Sequence, residues 1–167
     1  MAPVYKLKYF DFMGTAEPIR YLLAYGSIKY ENVEINKEVD WVHVQKTVPF
    51  GKLPMFEVDQ RVITQSVAIS RYIGKLVGLV PTDDLEAAEL DSAAWALYDY
   101  WLKVYHWYHE KDNDRKLFLK KELVDKWCPR YLDDFEKFVQ KKKGYFGGSK
   151  LSWVDFYFVG IIESIQG

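Results

Sequence analysis

All segments with strand character lie in the first 64 residues. Of all the features of the sequence, this uneven distribution places the strongest limit on which folds the chain can adopt. Periodicity and turn residues predict, in order, strand 4–10, helix 14–26, strand 29–35, a short helix at 40–45, strands 53–59 and 61–64, and helix 65–78. Strand, helix and strand in that order predict two parallel strands, and the turn at Asp59-Gln60 predicts an antiparallel hairpin. We therefore expect a βαβ-α-ββα unit with a mixed four-stranded sheet, an α+β arrangement.

Local signals predict where these helices begin and end. Thr15 is the expected N-cap of the first helix, Pro18 sits in its first turn, and Gly26 ends it. Asp40 is the expected cap of the short helix, and Gly78 is expected to end the last helix of this half.

After residue 78 the sequence has no strand signal, which predicts an all-helical second domain. The expected division is residues 1–78, a linker at 79–83, and residues 84–167. Within the second domain we expect helices at 84–109, 116–140 (interrupted at Pro129) and from Ser152 onward. Ser152 and Asp155 form an aspartate version of the capping box, with Leu151 and Phe156 as its hydrophobic staple. The last helix is apolar almost all round, so we expect it to be central and buried.

Composition excludes several function classes. The net charge of −1 gives no electrostatic reason to expect a nucleic-acid partner. The single cysteine, Cys128, cannot form an intrachain disulfide, which suits a reducing compartment. The N-terminal residues do not resemble a signal peptide, and no stretch is long and apolar enough to span a membrane. We therefore expect a cytoplasmic protein with neither a membrane nor a nucleic acid as partner.

A proline begins the third strand, in "PFGKLPMFEVD". A proline at this position is a candidate for a cis peptide bond, which would turn the backbone of Leu53 outward to pair with an extended peptide. A proline that merely occupies an edge strand explains the same pattern. The residues themselves leave both explanations open.

The polar pair Gln65-Ser66 stands directly before an apolar helix. The free N–H groups and the dipole of a helix N-terminus favour a carboxylate or a phosphate, and Ser66 adds a hydroxyl donor. Ser66 acting only as an N-cap is the alternative. Trp41 and Lys52 lie in flanking loops and are placed to hold a second carboxylate. Together these features describe a binding site for a small peptide with an acid at each end.

The segments "YKLKYF", "GTAEPIRYLLAYG", "PFGKLPMFEVD" and "QSVAISRYIGK" resemble the glutathione transferases, and "LSWVDFYF" resembles the capping motif of their late helix. The resemblance spans essentially the whole chain. It is closest to the sigma class, which includes invertebrate enzymes and the vertebrate glutathione-dependent prostaglandin synthase. The resemblance implies a thioredoxin-like first domain, glutathione as co-substrate, and a homodimer.

The resemblance also implies roles for individual residues. Tyr9 matches the catalytic tyrosine, and Asp99 matches an acid that reaches the glutathione of the partner subunit. The matches to glutathione-binding positions, besides Tyr9 and Asp99, are Trp41, Gln45, Gly51, Lys52, Leu53, Gln65 and Ser66. Gln45 stands where the sigma pattern often has lysine, and Thr15 replaces an arginine found in some members.

The implied mechanism is activation of a thiol. The thiolate is the nucleophile, and a hydrogen bond from a neutral Tyr9 hydroxyl favours it over the thiol. The electrophile is expected to be small and apolar. Its pocket is expected to be lined by Phe10, Phe12, Gly14, Thr15, Tyr105 and His106.

Two departures from the family pattern generate further expectations. Trp95, Tyr98 and Asp99 stand where the prostaglandin branch clusters acids, so we predict no metal site. Family members normally continue beyond the last helix, so we expect an incomplete second domain with lower stability or an altered dimer. Two alternatives to a transferase remain: a glutathione-dependent prostaglandin isomerase, and a non-catalytic, crystallin-like or ligand-binding relative.

Overall fold

A computed structural model of the chain describes residues 3–166. Met1, Ala2 and Gly167, the predicted last residue of the second domain, lie outside the described residues. The elements, in chain order, are β1 Tyr5–Tyr9, α1 Glu17–Tyr25, β2 Glu31–Glu34, α2 Trp41–Val44, β3 Met55–Val58, β4 Arg61–Thr64, α3 Ser66–Leu76, α4 Asp84–His109, α5 Asn113–Glu122, α6 Cys128–Lys142 and α7 Trp153–Gln166.

The predicted mixed four-stranded sheet is confirmed, with strand order β2-β1-β3-β4. β1 and β2 are parallel, as expected of two strands joined through a helix. β3 lies antiparallel to β1 on its other side, and β4 forms the predicted hairpin with β3. Leu7 in β1 and Phe56 in β3 are register partners, and both are fully buried, so the centre of the sheet belongs to the core.

The predicted N-cap of the first helix is wrong. Thr15 lies inside a 3₁₀ turn at Gly14–Ala16, and Ala16 occupies the N-cap position of α1. The Thr15 side chain is buried and faces Tyr9 instead of the helix end. Asp40 does precede α2, but its carboxylate accepts a hydrogen bond from the N–H of Asn36 and does not cap the helix.

The predicted end of α3 at Gly78 is confirmed. Gly78 has φ +75°, a conformation that glycine adopts at low cost. The N–H of Leu79 donates to the carbonyl of Gly74 at 2.8 Å, which is the hydrogen bond of a Schellman ending. The chain thereby turns away from α3 toward α4.

The helical part differs from prediction in one region. α4 has the expected bounds, but the next helix begins at Asn113 instead of residue 116, because Asp112 caps α5 by accepting from the N–H of Arg115 at 2.8 Å. The predicted helix at 116–140 is two helices, α5 and α6, joined by a π-helical segment at Leu123–Trp127. Pro129 follows this segment and has no N–H to continue a regular helical ladder.

Helix α7 packs closely on two helices of the N-terminal half. A Cβ on Gly160 would lie 2.6 Å from the backbone nitrogen of Pro18 in α1, and a Cβ on Gly74 in α3 would lie 2.4 Å from the Cβ of Trp153. The expected burial of α7 is confirmed for one face, where Trp153, Val154, Tyr157 and Ile161 are fully buried. The opposite face is not buried, since Val159 is 47% exposed.

The start of α7 is anchored by the carboxylate of Asp155. It accepts from the N–H and the hydroxyl of Ser152, both at 2.7 Å, and from the N–H of Phe146 at 3.1 Å. The predicted pairing of Ser152 with Asp155 is therefore confirmed, with the serine hydroxyl as donor. Leu151 and Phe156, the predicted staple, line the same surface groove. Among residues 3–166, no helix has both the length and the apolar character that crossing a membrane requires.

Replacing Asp155 with alanine is expected to lower the free energy of unfolding by about 2–3 kcal/mol, because three donors lose their acceptor at a helix start. Asp133→Ala is the matched control, since Asp133 forms only an exposed pair with Lys137 on α6 and is expected to cost about 0.5 kcal/mol. Urea unfolding of both variants measures the difference. Equal losses would contradict the anchoring role of Asp155.

Candidate functional site

Tyr9 is the last residue of β1, and its side chain is buried with 5% exposure. Its hydroxyl oxygen accepts a hydrogen bond from the backbone N–H of Thr15 at 3.2 Å, and the Thr15 hydroxyl lies 3.3 Å away. The turn at Gly14–Ala16 therefore holds the phenol at the C-terminal end of the strand.

Burial raises the pKa of Tyr9 above its ordinary value of 10.0. The two hydrogen bonds to Thr15 and the charge of Arg20 lower the pKa in part, but burial dominates. A raised phenol pKa means that Tyr9 keeps its proton throughout the neutral range. The Tyr9 hydroxyl is therefore a hydrogen-bond donor at neutral pH.

Gly14 allows the backbone to approach the Tyr9 hydroxyl. A Cβ at Gly14 would lie 2.4 Å from the hydroxyl oxygen and 2.9 Å from the ring of Phe12, and the φ of Gly14 is +44°. Both the contact distance and the backbone conformation thus require glycine. Gly14 and Thr15, predicted from the sequence to line a pocket, lie directly beside Tyr9.

Aromatic rings surround this phenol. Phe10 and Phe12 stack on each other with centroids 5.5 Å apart, and each ring centroid lies 5.4 Å from that of Tyr9. Trp41 packs edge-on against Phe10 at 5.3 Å. Tyr105 on α4 lies near enough to influence the pKa of Tyr9. Two of the predicted pocket residues, Phe10 and Phe12, therefore pack against the Tyr9 ring.

The backbone before β3 is available to a ligand. The Leu53–Pro54 peptide bond is cis, as the sequence allowed. Among the described residues, neither the N–H nor the C=O of Leu53 forms a backbone hydrogen bond. Lys52 is exposed beside it, and the Gln45 amide donates to the Gly51 carbonyl at 3.4 Å. The residues at the predicted positions 45, 51, 52 and 53 therefore lie together in the loop region before β3.

Two more of the predicted binding residues, Gln65 and Ser66, lie at the N-terminus of α3. Gln65 precedes the helix with φ 72° and ψ 117°, a conformation that non-glycine residues rarely adopt. Ser66 is the first helical residue and is not an N-cap, so the N-cap alternative is wrong. Its hydroxyl lies 2.9 Å from the hydroxyl of Tyr157, and both side chains are buried.

Two predicted residues do not join this group through contacts within the chain. Asp99 is exposed on α4, where its charge acts on Tyr98 and Tyr131. The ring of His106 contacts Tyr105 and is itself exposed. In the part of the chain that the structure describes, no three His, Cys, Asp or Glu side chains cluster as a metal site would require. The absence of a metal stays a prediction.

The sequence reasoning missed two residues near the site. Tyr157 was read only as part of an apolar helix, because a buried hydroxyl gives no periodic signal. Arg20 lies on α1, where it pairs with Glu17 at 2.7 Å and contributes to the pKa of Tyr9. The spacing of Glu17 and Arg20, three residues apart, predicts the pair but not its proximity to Tyr9.

Comparisons with known proteins agree with this geometry. Residues 5–75 match the family described as "Glutathione S-transferase, N-terminal domain", and residues 98–167 match "Glutathione S-transferase, C-terminal domain". The chain is 40% identical over 155 residues to the mouse hematopoietic prostaglandin D synthase, covering 93% of this chain and 76% of that protein. It is 34% identical over 164 residues to a glutathione S-transferase of Anopheles gambiae, and the match covers 98% of this chain and 80% of that protein.

A solved structure is also similar to the chain. The prostaglandin synthase D of Nilaparvata lugens superimposes with a TM-score of 0.91 at 36% identity, covering 96% of this chain and 80% of that one. This similarity includes both the sheet and the helices. The thioredoxin-like arrangement followed by a helical domain is thereby confirmed, and the relatives support the sigma-type resemblance.

Replacing Gly14 with alanine is expected to reduce stability more than the same change at Gly78. Both glycines have positive φ, so each variant is strained by about 1 kcal/mol. Only at position 14 does the new methyl group also collide with Tyr9, whereas Gly78 has no atom within 4 Å of an added Cβ. We expect a further loss of about 1–3 kcal/mol for Gly14→Ala, measured by urea unfolding. Equal losses of unfolding free energy in the two variants would contradict this prediction. They would show that the backbone beside Tyr9 shifts enough to accommodate the methyl group.

Proposed function

The chain belongs to the glutathione S-transferase family. We propose that it activates the thiol of glutathione at Tyr9 and transfers the glutathionyl group to small apolar electrophiles. A free thiol has a pKa near 8.5, so about a few per cent is thiolate at neutral pH. A donor aimed at the sulfur stabilises the thiolate relative to the thiol and increases its fraction. The thiolate then attacks the electrophilic atom and the leaving group departs, or the thiolate adds across an activated double bond.

The observation that carries the proposal is the state of the Tyr9 hydroxyl. The Thr15 N–H donates to the Tyr9 oxygen, and when the Thr15 hydroxyl also donates to that oxygen, the phenolic hydrogen is directed to another acceptor. The raised pKa keeps that hydrogen in place at neutral pH. Tyr9 is thus suited to donate to a sulfur anion, and it need not remove the thiol proton itself.

The remaining predicted residues fit a peptide with an acid at each end. The unpaired backbone of Leu53 suits the extended middle of glutathione. Ser66, Gln65 and the N-terminus of α3 suit the γ-glutamyl carboxylate. At the other end, Lys52 supplies a positive charge for the glycine carboxylate, with Trp41, Gln45 and Gly51 beside it. Asp99 is proposed to contact the glutathione of a partner subunit.

We propose that the electrophile lies against Phe10, Phe12 and Tyr105, with Gly14, Thr15 and His106 around it. Phe12 is 46% exposed and Tyr105 is 43% exposed, so apolar surface is open beside the buried hydroxyl. An apolar substrate would cover these rings and bring its reactive atom near the sulfur. This arrangement favours flat or hydrophobic electrophiles over charged ones.

A second candidate activity is glutathione-dependent isomerisation of a prostaglandin endoperoxide. The observation in its favour is that the similar proteins of mouse and Nilaparvata lugens are a prostaglandin D synthase and a prostaglandin synthase D. Incubation with the endoperoxide and glutathione, followed by product analysis, tests it. Prostaglandin D formed faster than without protein supports the isomerase, and an unchanged product distribution opposes it. Glutathione binding without either activity would indicate the non-catalytic alternative.

The assembly and compartment are also proposals. We propose a homodimer formed through α4, whose exposed Trp95 and Asp99 are available to a second copy. Light scattering of the purified chain would return a dimer mass if this is correct. We further propose the domain division 1–78, 79–83 and 84–167, a cytoplasmic location, and no metal requirement.

Tyr9→Phe is expected to lower the conjugation rate at neutral pH by about 10- to 100-fold, because a hydrogen bond to a charged group is lost. The pKa of Tyr9 is raised, so Tyr9 stays protonated between pH 6 and pH 9 and does not itself shape the rate profile. The rise of rate with pH therefore reports the bound thiol, and it is expected to move to higher pH in the variant. Initial rates with chlorodinitrobenzene over this pH range measure the shift.

Tyr25→Phe is the matched control, since Tyr25 lies on α1 and is 51% exposed. Its rate and its pH profile are expected to equal those of the parent chain. A Tyr9→Phe profile that overlaid the parent profile would refute thiol activation by this hydroxyl.

A further inference from the structure

A buried hydrogen bond connects the N-terminus of α3 to helix α7. The hydroxyl oxygen of Tyr157 lies 2.9 Å from the hydroxyl oxygen of Ser66, although the residues are 91 positions apart. Tyr157 is fully buried, and Ser66 is 3% exposed. A tyrosine hydroxyl from the helical half of the chain is therefore in direct contact with a residue of the candidate peptide site.

The direction of this bond follows from what each group can donate. A serine hydroxyl has one hydrogen and two acceptor positions, and a carboxylate only accepts. If Ser66 binds a carboxylate, its single hydrogen must point to that ligand. The bond to Tyr157 then requires that Tyr157 donate to the Ser66 oxygen. Burial raises the pKa of Tyr157, so its phenol keeps the proton that this donation needs.

We propose that Tyr157 is a positioning residue for glutathione, whose hydroxyl donates to Ser66 and turns the Ser66 hydrogen toward the γ-glutamyl carboxylate. This inference rests on the proposed function, in which Ser66 binds that carboxylate. Two hydroxyls in series polarise each other, so the second donates more strongly than a lone serine would. In an apolar surrounding, this pre-orientation also removes the competing rotamers of the Ser66 hydrogen.

The packing of α7 holds the Tyr157 ring in place. One turn earlier, Trp153 packs against Gly74 of α3, with no room for a Cβ on that glycine. Three residues later, Gly160 packs against Pro18 of α1 with similarly close contacts. The ring centroids of Trp153 and Tyr157 are 6.1 Å apart. Because α7 is held by close contacts on both sides of Tyr157, the Tyr157 hydroxyl has little freedom to move away from Ser66.

The test compares glutathione affinity in Tyr157→Phe, Ser66→Ala and the double variant by titration calorimetry of the full chain. Tyr157→Phe is expected to raise the Kd for glutathione by about 3- to 10-fold, and Ser66→Ala by at least as much. The double variant is expected to bind no more weakly than Ser66→Ala alone, because Tyr157 acts only through Ser66. Losses that multiply would overturn the proposal. Tyr100→Phe, a buried change on α4 where the ring packs against Tyr131 of α6, is the control and is expected to keep the parent Kd.

A ligand without the γ-glutamyl carboxylate separates positioning from packing. The probe is γ-aminobutyryl-Cys-Gly, which keeps the rest of glutathione. The parent chain and Tyr157→Phe are expected to bind this probe equally, since it has no carboxylate for Ser66 to contact. If Tyr157→Phe weakens both peptides by the same factor, Tyr157 only supports the fold and the proposal is wrong.

A second variant covers the case in which Tyr157→Phe does not fold. Incorporation of 3-fluorotyrosine at position 157 keeps the ring and the hydroxyl while making the phenol a stronger donor. Glutathione affinity is then expected to be equal to or tighter than that of the parent. Weaker binding of glutathione, with unchanged binding of the decarboxylated probe, would overturn the proposal.

Failure of this inference is distinguishable from failure of the proposed function. If Ser66→Ala keeps the parent Kd while Tyr9→Phe still loses activity, the Tyr157 inference falls and thiol activation stands. If Tyr9→Phe also keeps the parent rate and pH profile, the proposed function falls as well.

Discussion

The close packing of α7 against α1 and α3 is the contact on which the rest of the structure depends. Gly160 meets the backbone of Pro18, and Gly74 meets the Trp153 side chain, so neither glycine position has room for a Cβ. α1 follows the turn that carries Thr15, and α3 begins with Ser66. Helix α7 thus fixes both the turn beside Tyr9 and the N-terminus of α3. Asp155, which accepts three hydrogen bonds, anchors the start of this helix.

Burial also decides the chemistry of the two hydroxyls in the site. Removal from water raises the pKa of both Tyr9 and Tyr157, so each remains a neutral phenol. A neutral phenol donates a hydrogen bond without bringing a charge into the core. The Thr15 N–H occupies an acceptor position of the Tyr9 oxygen.

Some parts of the fold were predictable because they depend on local patterns. The parallel pair of β1 and β2, the hairpin at Asp59-Gln60 and the bounds of α4 follow from periodicity and turn residues. The predicted cap at Thr15 failed because a buried contact with Tyr9 replaced the helix end as its partner. The helix predicted at 116–140 is interrupted close to Pro129, as expected, but it begins earlier, at Asn113, and the interruption is a π segment at Leu123–Trp127. At Thr15 a tertiary contact outweighed a local preference.

The sequence by itself determined the β3–β4 hairpin, the pairing of Ser152 with Asp155, and the cluster of residues around Pro54 that suits a peptide. These features rest on residues close together in the chain, whose spacing sets their geometry. Only the tertiary structure decided that Tyr157 meets Ser66, that Arg20 acts on Tyr9, and that Phe10 packs against Trp41. The physical reason is separation: contacts between residues far apart in the chain depend on how helices pack, and no local pattern of polarity encodes them.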